Sequence, residues 1–201
     1  MTDLDSVDQS SVSGVLAPAL GLVLDAVGYG SRNIQDQQDV QERLSVLMEK
    51  VLDDIDIRPE ELQCEGVSGD GLSLFFPAAT DPTRTLPALL AATAARLAKD
   101  NARYRDRIRI RMAAGFGLVG RGSLGVIGNL VVEINRLNDS APIRRAILDH
   151  PESDLVVLIS DILRQLLAHS GSASNALRPL DRVEVALKEY RAPAWLWIGT
   201  G

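Results

Sequence analysis

The chain contains one cysteine, Cys64, which excludes an intrachain disulfide and any multi-cysteine zinc site. A free thiol without disulfides fits a reducing compartment, so a cytoplasmic protein is expected. Aromatic residues make up only 4% of the 201 positions, so the core has to rest on Leu, Val, Ile and Ala. No uninterrupted apolar run is long enough to span a bilayer. The N-terminus is acidic and serine-rich, the opposite of a secretory signal. Positive charge is not in excess: a formal net charge of -6 removes any electrostatic reason to bind nucleic acid or an anionic membrane. There is no internal repeat.

What remains is ordinary globular composition, with 46% hydrophobic and 24% charged residues, enough to build a sizeable core. The first 14 residues carry three Asp and four Ser. A disordered acidic tail is expected over residues 1–17, followed by one domain over residues 18–201. Ala19–Ala26 is a short apolar run and reads as a buried strand, with Val27–Gly30 as the turn after it. Apolar residues at Val40, Leu44, Leu47, Val51 and Leu52 predict an amphipathic helix over Asp36–Asp54. Glu61–Ser68 and Leu72–Phe76 predict two strands joined by Gly69-Asp70-Gly71, because glycine supplies positive φ at little cost. A helix over Leu86–Tyr104 and a strand over Arg107–Val119 follow, then a glycine-rich connection over Gly120–Gly128. Helices are predicted over Asn129–Asn138, Ala141–Asp149 and Asp161–Ala168, and strands over Leu155–Ile159, Asp181–Leu187 and Ala194–Ile198. Strands alternate with helices around a central hairpin. The expected fold class is α/β (α+β): a ferredoxin-like mixed sheet with helices on one side, not an all-parallel Rossmann sheet.

Two carboxylates stand out. Asp25 closes the first strand before a glycine turn, and Asp70 sits at the hairpin tip. If the sheet pairs that strand with the hairpin, the two converge. Phosphoryl and nucleotidyl transfer use such pairs to hold hard cations. The neighbouring glycines leave backbone N–H groups open to phosphate oxygens. Turn chemistry alone also places Asp at both kinds of position. Arg107, Arg109 and Arg111 alternate along one strand and read as a solvated or ion-paired face, with an interface as the alternative. Ser160-Asp161 reads as a helix cap, Cys64 as a small core residue, and His150 and His169 as surface residues. Trp195 and Trp197 alternate with Leu196, with one face expected in the core and the other facing a partner.

Val23-Leu-Asp25-Ala-Val-Gly-Tyr29 resembles the first metal-binding segment of class III adenylyl and guanylyl cyclases, and Ser68-Gly-Asp70-Gly-Leu-Ser-Leu-Phe75 resembles the second. Ile127 to Leu137 resembles the helix that carries the family's transition-state Asn and Arg, and Leu155 to Asp161 a late strand and helix. The match runs from Leu20 to Ile198 and is similar to small free-standing cyclase-like domains of actinobacteria. The resemblance implies that Asp25 and Asp70 hold two Mg²⁺ or Mn²⁺ ions, with the Ala26 carbonyl as a further ligand. It implies phosphate binding around Val27, Gly28, Tyr29, Gly30 and Gly69, with Arg136 stabilising the transition state. It also implies a homodimer, or pairing with a related cyclase-like chain, that acts on a nucleoside triphosphate in signalling or antiphage defence. Three family positions depart: the ribose-orienting Asn falls at Val132, the purine-reading Lys at Gly66 and its partner Asp at Gly125. A working cyclase with altered base reading and a degenerate nucleotide-binding or protein-interaction module are both compatible with that pattern.

Overall fold

The computed structural model describes residues 15–68, 71–123, 125–171 and 176–199, with backbone only over 63–68. The expected tail over residues 1–14, Gly69 and Asp70 lie outside the described residues. The strands are β1 (Ala17–Ala26), β2 (Gln63–Ser68), β3 (Gly71–Phe75), β4 (Ile110–Gly122), β5 (Gly125–Ile127), β6 (Leu155–Ser160), β7 (Asp181–Leu187) and β8 (Tyr190–Ile198). The helices are α1 (Ile34–Asp54), α2 (Pro82–Arg103), α3 (Asn129–Asn138), α4 (Ala141–Asp149) and α5 (Asp161–His169).

Local chemistry sets the helix ends. Asn33 caps α1 by accepting from the N–H groups of Gln35 and Asp36. Asp81 accepts from the Thr83 N–H, and Pro82 suits the first helical position, so α2 starts four residues before the predicted Leu86. Ser160 caps α5, as expected, by accepting from the Leu163 N–H.

Seven strands form a mixed sheet in the order β2-β3-β1-β4-β6-β8-β7. Only β4 and β6 run parallel, joined by the crossover through α3 and α4; the other neighbours are antiparallel. The Gly120–Gly128 connection is more regular than predicted: β4 continues to Gly122 and turns back into β5, pairing Gly122 with Gly125. The helices cover both faces rather than one. Leu20, Leu22 and Leu24 of β1 pack with α1, α2 and α5, whereas Ala19 and Val23 pack with α3 and α4. The physical reason lies in the central strands: every residue of β6 is buried, which requires cover on each face. Trp195 and Trp197 follow the same rule, packing towards α5 while Leu196 and Ile198 pack on the opposite face. Both faces of β8 carry packed side chains, yet Trp195 to Ile198 all stay half-buried. The core is built mainly from Leu, Val, Ile and Ala, as the scarcity of aromatics demands. Among the described residues no helix is long and apolar enough to cross a membrane.

Candidate functional site at the carboxyl end of β1

Side chains alternate across a strand, so Asp25 shares the α3 face with Val23, and Arg111 shares it with Ala113. The two are register partners on β1 and β4. Their side chains meet as a fork: Arg111 Nε donates to Asp25 Oδ1 and Nη2 to Oδ2, each at 2.8 Å. Each side chain is 17% exposed. Asn138, the last residue of α3 and 5% exposed, donates its amide to Asp25 Oδ2 at 3.2 Å. Asp25 is also the register partner of Gly71, the chain neighbour of Asp70. The predicted convergence of β1 with the hairpin is therefore present in the backbone, while the Asp70 carboxylate lies outside the described residues.

The turn after Asp25 is partly committed already. The Val27 N–H donates to the Arg109 carbonyl at 2.8 Å, so that amide is not open to a phosphate, contrary to expectation. Gly28 takes φ +73°, a left-handed conformation that favours glycine. Its carbonyl accepts from Ser31 Oγ at 2.7 Å. Tyr29–Ser31 forms a single 3-10 turn, and the Tyr29 hydroxyl accepts from Gln41.

A hard divalent cation takes oxygen ligands. The Asp25 carboxylate, with the Ala26 carbonyl next along the chain, is the right chemistry. Beside it, the Asn138 Oδ1 is a buried oxygen with no hydrogen-bond partner, an acceptor that either a cation or an N–H donor would satisfy. The residues present fit such an ion in donor type, although the Asp25 charge is already matched by Arg111. Among the described residues, no group of three or more His, Cys, Asp or Glu gathers around a common point.

Arg136 is not brought to this cluster. Its Nη2 donates to Glu189 at the β7–β8 turn, 2.7 Å away, and its side chain is 20% exposed. Val132 lies one helical turn earlier and is 51% exposed. Gly66 falls where the β2–β3 register shifts, between Glu65 and Ser68. Gly125 has φ +125° and closes the β4–β5 pairing.

The arginine stripe is ion-paired and carbonyl-bound, one of the readings its alternation allowed. Arg107 pairs with Asp154 at 2.5 Å. Arg109 donates to the carbonyls of Ile147, His150 and Ser153, satisfying the open C-terminal end of α4. Asn138 and Glu133 were not legible as site residues. Glu133 receives the Tyr190 hydroxyl at 3.3 Å beside a groove lined also by Leu16, Pro18, Phe116 and Leu118. Burial pushes the Glu133 carboxyl above its ordinary range, against the pull of that hydrogen bond, and nearby Asp161 adds to the rise.

No family model and no curated protein matches the chain. Solved structures do match, nucleotidyl cyclases among them. The guanylyl cyclase Cya2 aligns over 94% of this chain and 95% of its own, with a TM-score of 0.61 and 18% identity. An adenylate/guanylate cyclase/hydrolase from Silicibacter pomeroyi aligns over 92% and 99%, with a TM-score of 0.63 and 17% identity. The guanylate cyclase domain of RhGC from Catenaria anguillulae, solved in complex with GTP, aligns over 92% and 97% at 0.60 and 11%. At these identities the similarity shows the fold: a mixed sheet with packed helices, of the class III cyclase type.

Proposed function

We propose that this chain is a nucleotidyl cyclase-like domain that converts a nucleoside triphosphate into a 3′,5′-cyclic nucleotide and pyrophosphate. The observation that carries the reading is the placement of Asp25: a carboxylate ending a central strand of a cyclase-type sheet, with Gly71, next to Asp70, as its register partner. In this reaction the ribose 3′-oxygen loses its proton and bonds to the α-phosphorus. The bond from that phosphorus to the pyrophosphate oxygen breaks. Two Mg²⁺ or Mn²⁺ ions, when bound, activate the attacking hydroxyl and neutralise charge on the leaving group. Asp25, Asp70 and the Ala26 carbonyl are the residues to hold them. Gly28, Tyr29, Gly30 and Gly69 are the residues proposed to border the phosphates, and the planar fork of Arg136 suits the charge that develops at phosphorus.

Arg136 and Asn138 stand about 200° apart around α3, and it is Asn138 that meets Asp25. That divergence supports a homodimer, or pairing with a related cyclase-like chain, in which Arg136 serves the partner's site. A diffusible cyclic product suits a cytoplasmic signalling or antiphage role.

A second reading, a degenerate nucleotide-binding or interaction module, is favoured by Val132, whose side chain forms no hydrogen bond to a ribose. One experiment separates the two. The purified chain is incubated with each of the four triphosphates and Mn²⁺, and products are identified by mass spectrometry. A cyclic nucleotide that disappears in Asp70→Asn supports the enzyme. No cyclic product from any triphosphate at high protein concentration refutes it.

A further inference from the structure

Both oxygens of Asp25 are engaged by a single guanidinium, at 2.8 Å each. Paired charge-assisted hydrogen bonds in this geometry are among the stronger side-chain contacts. At 17% exposure on each side, salt screens the pair weakly. The sheet preorganises it, because Asp25 and Arg111 are register partners on one face. A divalent cation at Asp25 would stand within a few ångströms of the Arg111 charge, and like charges this close oppose each other at reduced dielectric.

We propose that Arg111 is an internal counter-cation that competes with the divalent ion for Asp25, so that the site takes metal only together with an anionic triphosphate. This rests on the reading of Asp25 as a metal ligand. The triphosphate supplies the negative charge that lets a cation and a displaced guanidinium share the site. Asn138 offers the guanidinium a second acceptor. Its Oδ1 is buried without a partner, and its amide touches the Asp25 oxygen that Arg111 Nη2 also touches. An orphaned buried acceptor costs free energy that a donor recovers, and a guanidinium carries five N–H donors. On this proposal Arg111, leaving the carboxylate, exchanges one partner for another rather than stranding a buried charge.

The rival view is that Arg111 only orients Asp25 for the metal. The two views predict opposite signs for Mn²⁺ binding to the nucleotide-free full chain, followed by the electron paramagnetic resonance signal of free Mn²⁺. Competition predicts that Arg111→Gln binds Mn²⁺ roughly tenfold tighter than wild type, a full decade in Kd. It also predicts that adding Asp25→Asn cancels the gain. A non-hydrolysable triphosphate should then tighten Mn²⁺ binding more in wild type than in Arg111→Gln. Arg111→Lys keeps the charge but loses the fork, guards against misfolding of the Gln variant, and should fall between the two. Equal or weaker Mn²⁺ binding in both Arg111 variants overturns the proposal. Mn²⁺ binding that ignores Asp25→Asn in every background is a separate failure, of the metal-site reading itself.

Discussion

Replacing Gly115 by alanine tests how closely α3 is seated on the sheet. A Cβ at this position would stand 2.8 Å from Leu130 Cδ1 and 2.9 Å from Ile134 Cγ2. Both side chains belong to α3 and are buried, at 2% and 0% exposure, so neither has open space to retreat into. Overpacking of this kind costs about 1–3 kcal/mol. In a domain of this size each kcal/mol moves Tm by about 2–4 °C, so a fall of roughly 2–12 °C is expected. Urea and thermal unfolding of wild type, Gly115→Ala, Leu130→Ala and the double variant measure it. Leu130→Ala alone should cost about 2–5 kcal/mol, through lost burial and the space left behind. In the double variant the new methyl occupies part of that space, so the combined loss should fall short of the sum by about 1–2 kcal/mol. A Gly115→Ala protein within about 0.5 kcal/mol of wild type would refute close seating, and so would strictly additive losses.

Three further outcomes follow from the same geometry. Arg43 is buried, bonds Asp100 at 2.6 and 3.0 Å, and stacks on the Tyr104 ring at 4.2 Å. Arg43→Ala should cost about 3–5 kcal/mol in urea unfolding, because it strands a partly buried carboxylate; a loss under about 1 kcal/mol would show that water compensates it. Glu133 holds its proton more tightly folded than unfolded, so its contribution to stability is full below the ordinary value of 4.5 and is lost as pH rises through the elevated folded value. Glu133→Gln, permanently neutral, should gain on wild type as pH rises above 4.5, and a pH-independent difference in urea midpoint would contradict the burial argument. Val132→Asn restores an amide where a ribose contact is expected; given measurable turnover it should raise the rate by about tenfold or more. Tm should hold steady, since Val132 is half exposed, and an unchanged rate would show that Val132 does not limit turnover.

The elements were legible along the chain because local chemistry sets them. The 3–4 spacing of α1, the capping Ser160, the alternation around Arg111 and the Gly-rich hairpin tip depend only on near neighbours. The errors have physical causes too. The helices lie on both faces because β1, β4 and β6 each bury both sides, and an apolar run does not say how many layers cover it. The β4–β5 hairpin hid in a run of glycines, whose weak side-chain signal conceals strand pairing. The start of α2 lies four residues ahead of Leu86 because the Asp81 cap and Pro82 set it, upstream of the Ala- and Leu-rich stretch.

The placement of Asp25 at a strand end beside a glycine turn follows from the sequence pattern alone, and so does its candidacy for phosphate chemistry. Its partners do not. Arg111 lies 86 residues away along the chain and Asn138 lies 113 away. They meet Asp25 because β1 and β4 pair in one register and α3 ends above that pair. A carboxylate's chemistry depends on which charges stand within a few ångströms of it, and only the folded chain decides that. The same folding pairs Arg136 with Glu189 rather than with Asp25, which keeps the two candidate residues apart within one chain.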